Sequence, residues 1–268
     1  IQSIARANDS LLIVTTTQND PRTEIENINV LMHRRVDGLI LAPANSDGQM
    51  LRKVLDSLPI PVVAIDRPVT GARVSSVVAD NFRGATLATE HLIGHGYKRI
   101  LCLTGESTLF TIRERIRAYC IAMEKAGLEV LLDTSVKDYK SAEYAIESLL
   151  SGANPPDAIF TLKNSTTIYA FEALQKLNVP MPGSVALLGF DDFELASTVR
   201  PSISVVEQPI KEIARLAGEV LFDQLLDSKQ KARRPGKAQQ IKLETRLVPR
   251  ASCGCFSRLQ ETIRSENG

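Results

Sequence analysis

Short apolar runs alternate with longer segments of helical periodicity along this sequence, and the alternation limits the fold more than any other feature. The runs are apolar on both faces, which is typical of buried parallel strands. Strands separated by helices at this spacing form βαβ units, so the sequence predicts a doubly wound α/β fold. The predicted strands are LLIVTT at Leu11, GLILAP at Gly38, PVVAID at Pro61, RILCLTG at Arg99, DAIFTL at Asp157 and SVALLGFD at Ser184.

Helix start and stop signals lie between these runs. Asp20 precedes Pro21, and proline suits the first turn of a helix. In KSAEYAIESLL, Ser141 precedes alternating apolar positions and predicts a helix start there. Asn178 and the two prolines that follow it predict a helix end, because proline cannot continue the helix.

Charge and length narrow the class of protein. The chain has 268 residues, with 32 Lys and Arg against 31 Asp and Glu, and its length suits two lobes better than one large unit. A net charge near zero excludes an overall electrostatic surface for nucleic acid or anionic membranes, so any DNA contact would lie elsewhere. No apolar run approaches the roughly 20 residues that span a bilayer, and no signal peptide is visible.

The four cysteines are Cys102, Cys120, Cys253 and Cys255. Their spacing matches neither a disulfide framework nor a zinc motif, so we expect reduced thiols and a cytoplasmic protein.

Polar residues follow several predicted strands at the point where each strand ends. Each could simply cap the next helix or close a turn. Several of them at one end of a parallel sheet favour a shared polar cleft instead, because ligands bind beyond the carboxyl ends of such strands. These residues are Asp66, Thr104, Gly105, Lys163, Asn164 and Asp191.

Three arginines fall in the first turns of the helix predicted to begin near Thr111, namely Arg113, Arg115 and Arg117. Cations are unusual there because the helix dipole is positive at its N-terminus. A hydroxyl-rich or anionic ligand, Asp191 or the adjacent Glu114 could compensate them, and Arg113 and Arg117 could equally be surface residues.

The sequence offers little support for an enzyme. His91 and His95 are four residues apart in HLIGH, but leucine replaces the glutamate of a metalloprotease motif. No G-x-S-x-G, Walker or G-x-G-x-x-G sequence occurs. Adjacent residues of a strand cannot both point into one site, which argues against Asp191 and Asp192 as an acid and base pair. We therefore predict no catalytic residue, no metal and no cofactor.

The chain resembles the effector-binding domain of the lactose and galactose repressor family of bacterial transcription regulators, which shares its fold with periplasmic sugar-binding proteins. The resemblance runs nearly end to end. It rests on RRVDGLILAP, PVVAIDRP, VVADNFRGATLATEHLIGHGYKRI, RIRAYCIAM, VPMPGSVALLGFDD, RPSISVVEQP and RLVPRASC.

The resemblance implies two doubly wound lobes joined by three crossovers, near Asp80, near Gln208 and in the basic stretch before Gln239. The first lobe would comprise residues 1–79 and 209–236 without its first strand. The second lobe would comprise residues 80–208 and 237–256, and residues 257–268 would form a tail.

Effector contacts are also implied by the resemblance. Asp66 matches a first-lobe carboxylate, Arg115 a ligand-clamping arginine, and Asp191 an acceptor of hydroxyl or ring N–H bonds. The further matches are the polar contact Thr111, the aromatic Tyr139 and the polar residue Gln208 at the second crossover. Asp192 is expected to shape the turn.

The sequence departs from the family pattern in two places. Lys163 and Asn164 stand where many members have Asn-Asp, which favours a charged effector such as a phosphorylated or acidic sugar. Ala118 stands where glycine is usual, which is a mild packing change.

We therefore predict the effector-sensing domain of a cytoplasmic, homodimeric repressor that does no catalysis. A small metabolite between the lobes, a sugar or sugar derivative, would be coupled to operator binding through an N-terminal helix-turn-helix that this chain lacks. Helices containing EIENINVLMHRR and GQMLRKVLDSL would form the dimer surface. The alternative is a periplasmic solute receptor for a sugar, and an enzyme is a distant third.

Overall fold

The structure is a computed structural model that describes residues 1–105, 107–230 and 238–255. Its helices are α1 Gln2–Ala7, α2 Pro21–His33, α3 Gln49–Ser57, α4 Asn81–Gly94, α5 Phe110–Lys125, α6 Tyr139–Leu150, α7 Asn164–Lys176, α8 Ile210–Gln230 and the short 3₁₀ helix Ala251–Cys253. Its strands are β1 Leu39–Leu41, β2 Val62–Ile65, β3 Ser75–Ala79, β4 Ile100–Leu103, β5 Leu131–Asp133, β6 Ala158–Thr161, β7 Ala186–Phe190, β8 Ser204–Glu207, β9 Gln240–Leu243 and β10 Arg246–Val248. Among the described helices, none has the length and apolar character needed to cross a membrane.

The chain divides into two compact units. Within the described residues, the first unit comprises Ile1–Asp80, Leu109–Thr111 and Pro209–Leu243. The second unit comprises Asn81–Thr108, Ile112–Gln208 and residues 244–255.

The first unit is built on a parallel sheet with helices on both faces. Its strand order is β1-β2-β3-β9. Ile28 of α2 and Leu51 of α3 pack with the core on one face. Ala217 and Leu221 of α8 pack against Val63 on the other face. Alternate residues of β2 thus face opposite helical layers, as in a doubly wound sheet.

The second unit has a six-stranded sheet in the order β10-β8-β7-β6-β4-β5, in which only β10 runs antiparallel to its neighbour. Ile146 of α6 and Leu174 of α7 share one core with Leu101 and Leu187 of the sheet. Tyr119 of α5 donates from its hydroxyl to the carbonyl of Ile100 at 2.7 Å, which ties that helix to β4. The predicted doubly wound α/β fold is confirmed.

The predicted helix start is confirmed at α2 but is wrong at α6. Asp20 accepts from the backbone N–H of Thr23 at 2.9 Å, and Pro21 follows it. At α6 the predicted start at Ser141 is wrong by three residues. Asp138 is the N-cap, and Ser141 is the third residue of a capping box in which each side chain binds the other's backbone N–H.

The predicted strand at Leu11 does not form. Residues 11–16 have no strand structure, and the side chains of Leu11 and Val14 are 89% and 75% exposed. Strand formation requires a paired neighbour as well as β-branched composition. Within the described residues, β1 is the end strand of its sheet and pairs only with β2.

The prediction that the second lobe resumes at residue 237 is also wrong. β9 pairs in parallel with β3, with Ile241 opposite Val77, so residues 240–243 belong to the first unit. The basic stretch expected to contain this crossover, from Asp227 to Lys237, lies partly outside the described residues, as does the predicted tail 257–268.

Gly189 in β7 offers a test of this packing. A Cβ at Gly189 would lie 2.5 Å from Oγ1 and 2.7 Å from Cγ2 of Thr167. Thr167 cannot easily move, because it is buried and its hydroxyl lies 2.7 Å from that of Thr161. We expect Gly189→Ala to lower the free energy of unfolding by about 1–3 kcal/mol.

Urea unfolding of the two variants Gly189→Ala and Gly94→Ala measures this difference. Gly94 has no atom within 4 Å of an added Cβ, so its alanine variant should match the parent or gain up to about 1 kcal/mol. Equal stabilities for the two variants would show that β7 does not pack as described.

Glu24 of α2 gives a pH-dependent test in the first unit. Its side chain is 1% exposed, and Oε1 accepts from the backbone N–H of Ala44 at 2.8 Å. Burial raises the pKa of Glu24 above its usual 4.5, although the Ala44 N–H and the charge of Arg67 oppose the increase. The folded state therefore holds this proton more tightly than the unfolded state, and stability falls as pH rises from about 4.5 through the raised pKa.

The variant Glu24→Gln lacks this titration. The stability of the parent relative to Glu24→Gln should therefore decrease as pH rises through that window, as measured by urea unfolding at a series of pH values. A difference that stays constant with pH would contradict the assignment.

Candidate functional site

Arg115, Asp191 and Gln208 come together in the second unit, where α5, β7 and the chain after β8 meet. Arg115 lies in the second turn of α5, and its side chain is only 3% exposed. Asp191 directly follows β7, and Gln208 directly follows β8. The site therefore lies beyond the carboxyl ends of parallel strands, where open α/β sheets bind ligands.

Fixed partners hold the Arg115 guanidinium. Its Nε donates to Oδ1 of Asn81 at 2.8 Å, and its Nη1 donates to the carbonyl of Leu162 at 2.5 Å. Its central carbon lies 3.6 Å from the centroid of the Phe190 ring, a close cation–π arrangement. Since these partners come from α4, from the residue after β6 and from β7, they fix the plane of the guanidinium.

Asp191 links Arg115 to Gln208. Its Oδ2 lies 3.5 Å from Nη1 of Arg115, and its Oδ1 accepts from Nε2 of Gln208 at 2.5 Å. The backbone of Asp191 is left-handed, with φ of 75°, and its N–H donates to the carbonyl of Val206 at 2.8 Å. Aspartate tolerates this conformation better than most residues, and such strain is concentrated at functional sites. The carboxylate remains 22% exposed, so it can accept further hydrogen bonds.

Asp192 has different partners from Asp191. Its two carboxylate oxygens accept from Nη1 and Nη2 of Arg250 at 3.0 and 2.7 Å. Its Oδ1 also accepts from the backbone N–H of Phe193 at 3.0 Å, which shapes the turn after β7. The neighbouring carboxylates therefore have separate roles in the structure.

Asn81, Gly84 and Phe190 support the site and were not singled out from the sequence as site residues. Asn81 is the first residue of α4 and is buried against Arg115, from which 34 positions separate it in the chain. A Cβ at Gly84 would lie 3.0 Å from the Phe190 ring and 2.5 Å from Oγ1 of Thr245, so glycine permits this close approach. The sequence shows an asparagine at a helix start and a glycine one turn later, but neither residue indicates by itself that Arg115 or Phe190 lies beside it.

Three other predicted contacts lie in the second unit. Tyr139 is the first residue of α6, half-buried, with Nζ of Lys176 5.9 Å from its ring centroid. Lys163 is the N-cap of α7 and half-buried, and its carbonyl accepts from the Thr167 N–H at 3.0 Å. Asn164 is exposed, and its Oδ1 accepts from the N–H of Ser165 at 2.7 Å.

The remaining predicted contacts, Asp66 and Thr111, lie in the first unit. Asp66 follows β2 with φ of 64°, and its Oδ2 accepts from Nε of Arg67 at 2.9 Å. Arg67 also donates to the carbonyl of Pro43 at 2.8 Å, which anchors the pair. Thr111 is the second residue of α5 and is buried.

The cluster in the second unit is suited to binding hydroxyl groups. A carboxylate beside a guanidinium offers acceptors and donors at one place, and hydrogen bonds to charged groups are the stronger ones.

Comparisons with known proteins define the class of this domain. The family profile of the periplasmic binding protein-like domain matches residues 89–253, more than half of the chain. The crystal structure of a candidate ribose operon repressor from Burkholderia thailandensis is 31% identical, with a TM-score of 0.78, and the match covers 92% of this chain and 90% of that one. The domain is thus a periplasmic-binding-protein-like α/β domain.

Further relatives identify the family within this class. The ribose operon repressor of Escherichia coli (strain K12) is 32% identical over 220 residues, which are 80% of this chain and 66% of the repressor. This chain therefore spans just under two thirds of the length of that relative. The transcriptional regulator CelR in complex with cellobiose is 26% identical, with a TM-score of 0.80, and the match covers 93% of this chain and 76% of CelR. The chain belongs to the lactose and galactose repressor family of bacterial transcription regulators, as its motifs predicted.

Proposed function

We propose that this chain is the effector-sensing part of a DNA-binding transcription repressor and that Asp191 and Arg115 bind a small hydroxylated metabolite. The observation that carries the proposal is a buried guanidinium, fixed by Asn81 and Leu162, beside a carboxylate that is still partly exposed. Preformed polar groups bind a ligand with little loss of conformational freedom.

A sugar is the class of metabolite that best fits this arrangement. Sugar hydroxyls both donate and accept, so one hydroxyl can bind Asp191 while a neighbouring one binds Arg115. The E. coli relative is a ribose operon repressor, and the solved structure of CelR is a complex with cellobiose. Ribose is therefore the first compound to test.

The relatives, which are transcriptional repressors and regulators, support a role in regulation rather than in transport or catalysis. An effector changes such a protein only by binding two conformations with different affinity, commonly by about 1–3 kcal/mol of coupling. The predicted homodimer, the operator contact through a helix-turn-helix and the roles of Asp66, Thr111 and Tyr139 stay predictions.

Substitution of Asp191 and Arg115 tests the binding site. We expect Asp191→Asn and Arg115→Lys to weaken ribose binding by at least about tenfold, or about 1.4 kcal/mol. The first removes the charge of the acceptor. The second replaces the planar guanidinium, whose donors are fixed in place, by a single ammonium group. Isothermal titration calorimetry of the 268-residue chain measures the affinity, and thermal unfolding shows whether each variant is folded.

Arg117→Ala is the matched control. Arg117 lies on the same helix but is exposed and pairs with Glu114 at 2.7 Å, so its removal should leave affinity within about twofold. If Asp191→Asn binds as well as this control, the site is elsewhere. Turnover of ribose by the parent protein would favour an enzyme instead.

Lys163 tests whether the effector carries a negative charge. A half-buried lysine at the start of α7 favours an anionic ligand such as a sugar phosphate. We expect Lys163→Asn to weaken binding of ribose 5-phosphate by about tenfold and to leave ribose within about twofold. The same calorimetry measures both affinities. If Lys163→Asn binds ribose 5-phosphate as tightly as the parent or more tightly, the argument for a charged effector fails.

A further inference from the structure

A cluster of two histidines and two cysteines lies in the second unit. Its members come from distant parts of the chain. They are separate in sequence from Arg115 and Asp191 and have other partners. His91 lies in the last turn of α4 and His95 directly follows that helix, while Cys253 ends the 3₁₀ helix and Cys255 follows it. His95 and Cys255 are 160 positions apart, so their spacing in sequence did not indicate a metal motif.

The ligand atoms of this cluster lie at distances that suit one metal ion. Sγ of Cys255 is 3.4 Å from Nε2 of His91 and 3.3 Å from Nε2 of His95. These three atoms all lie within 4.8 Å of one another. Bonds of about 2.3 Å to sulfur and about 2.0 Å to nitrogen place tetrahedral zinc ligands roughly 3.5 Å apart.

Cys253 adds a second sulfur to the cluster. Its Sγ is 3.3 Å from Nε2 of His91 and 3.3 Å from Sγ of Cys255. Metals bind cysteine as the thiolate, so a second sulfur at these distances completes a set of four possible zinc ligands.

The segment that carries the cysteines is anchored independently of any metal. Ser252 donates from its hydroxyl to the carbonyl of Leu187 at 2.6 Å, and its N–H donates to the carbonyl of Ser202 at 2.9 Å. Gly254 has φ of 89°, a left-handed conformation that glycine adopts without strain and that turns the chain between the cysteines. The hydroxyl of Tyr97 donates to the carbonyl of Cys253 at 3.3 Å. The sulfurs are thus held beside α4 by hydrogen bonds.

We propose that His91, His95 and Cys255 bind a zinc ion and that Cys253 is its fourth ligand. Two imidazoles and two thiolates are a common structural zinc set, and a closed set of four protein ligands stabilises a fold rather than catalysing a reaction. The ion would join the C-terminal segment, residues 250–255, to the end of α4. Zinc should therefore raise the thermal stability of the chain.

Metal binding can be measured directly on the tag-free 268-residue chain, reduced and freed of metal. Competition with a chromophoric chelator should give one Zn²⁺ per chain, and Co²⁺ in its place should show thiolate charge-transfer bands and the intense visible bands of tetrahedral coordination. We expect His95→Ala and Cys255→Ser each to weaken Zn²⁺ binding by at least about 100-fold.

His33→Asn and Cys120→Ser are matched controls, because they remove the same kinds of side chain outside the cluster. Both should retain one Zn²⁺ per chain and the Co²⁺ spectrum. Circular dichroism shows that each variant is folded, and the Co²⁺ spectrum of the parent tests the site without any substitution.

Several results would overturn the proposal. They are the absence of thiolate bands in the Co²⁺ form, equal Zn²⁺ affinity in Cys255→Ser and Cys120→Ser, and weak non-stoichiometric binding that indicates an adventitious ion only. A Cys253–Cys255 disulfide that persists under reducing conditions, detected by mass spectrometry, would assign the sulfurs to a redox pair instead. Unchanged affinity and spectrum in Cys253→Ser would exclude the fourth ligand.

Discussion

The compensation of one buried positive charge organises the carboxyl edge of the six-stranded sheet. An isolated guanidinium in a protein interior costs several kcal/mol unless charges and hydrogen bonds replace its water. For Arg115 these are supplied by the side chain of Asn81, the carbonyl of Leu162, the face of Phe190 and the carboxylate of Asp191. Because these partners come from three distant places in the chain, the charge can be buried only when α4, β6 and β7 have their native arrangement.

Asp191 has two roles, one in stabilising the buried charge and one in the proposed binding site. Its carboxylate stabilises the buried Arg115 and is held by Gln208, yet it is also the exposed group that we propose binds the effector. The backbone of Asp191 is strained because it is left-handed, and the hydrogen bond from its N–H to the carbonyl of Val206 helps to keep it in this conformation. A residue with both roles shows why substitutions at binding sites often change stability and affinity together. Affinity and folding must therefore be measured side by side at this position.

The sequence predicted the fold from local periodicity and failed where structure depends on distant neighbours. Five of the six predicted runs contain strands, because apolar composition on both faces reflects burial in a parallel sheet. Leu11 to Val14 has the same composition but pairs with no strand in the part of the chain that the structure describes, and its side chains are not buried there. Similarly, Asp191 and Arg115 were singled out by strand-end position and family resemblance, whereas no local pattern could show that Asn81 meets Arg115. Periodicity reports which face of an element is apolar, but not which residue lies opposite.

Strand β10 and the C-terminal segment after it are held at the edge of the sheet by polar contacts rather than by an apolar core. Strand β10 has only three residues, none fully buried, and a strand this short contributes little by itself. It stays beside β8 because Arg250 binds Asp192, Ser252 binds the carbonyl of Leu187, and Cys253 is buried. Asp192 therefore connects the turn after β7 to the segment that carries the cysteines. The two adjacent aspartates at the start of this turn therefore have different roles. Asp191 balances the buried charge of Arg115, and Asp192 holds residues 250–255 through Arg250.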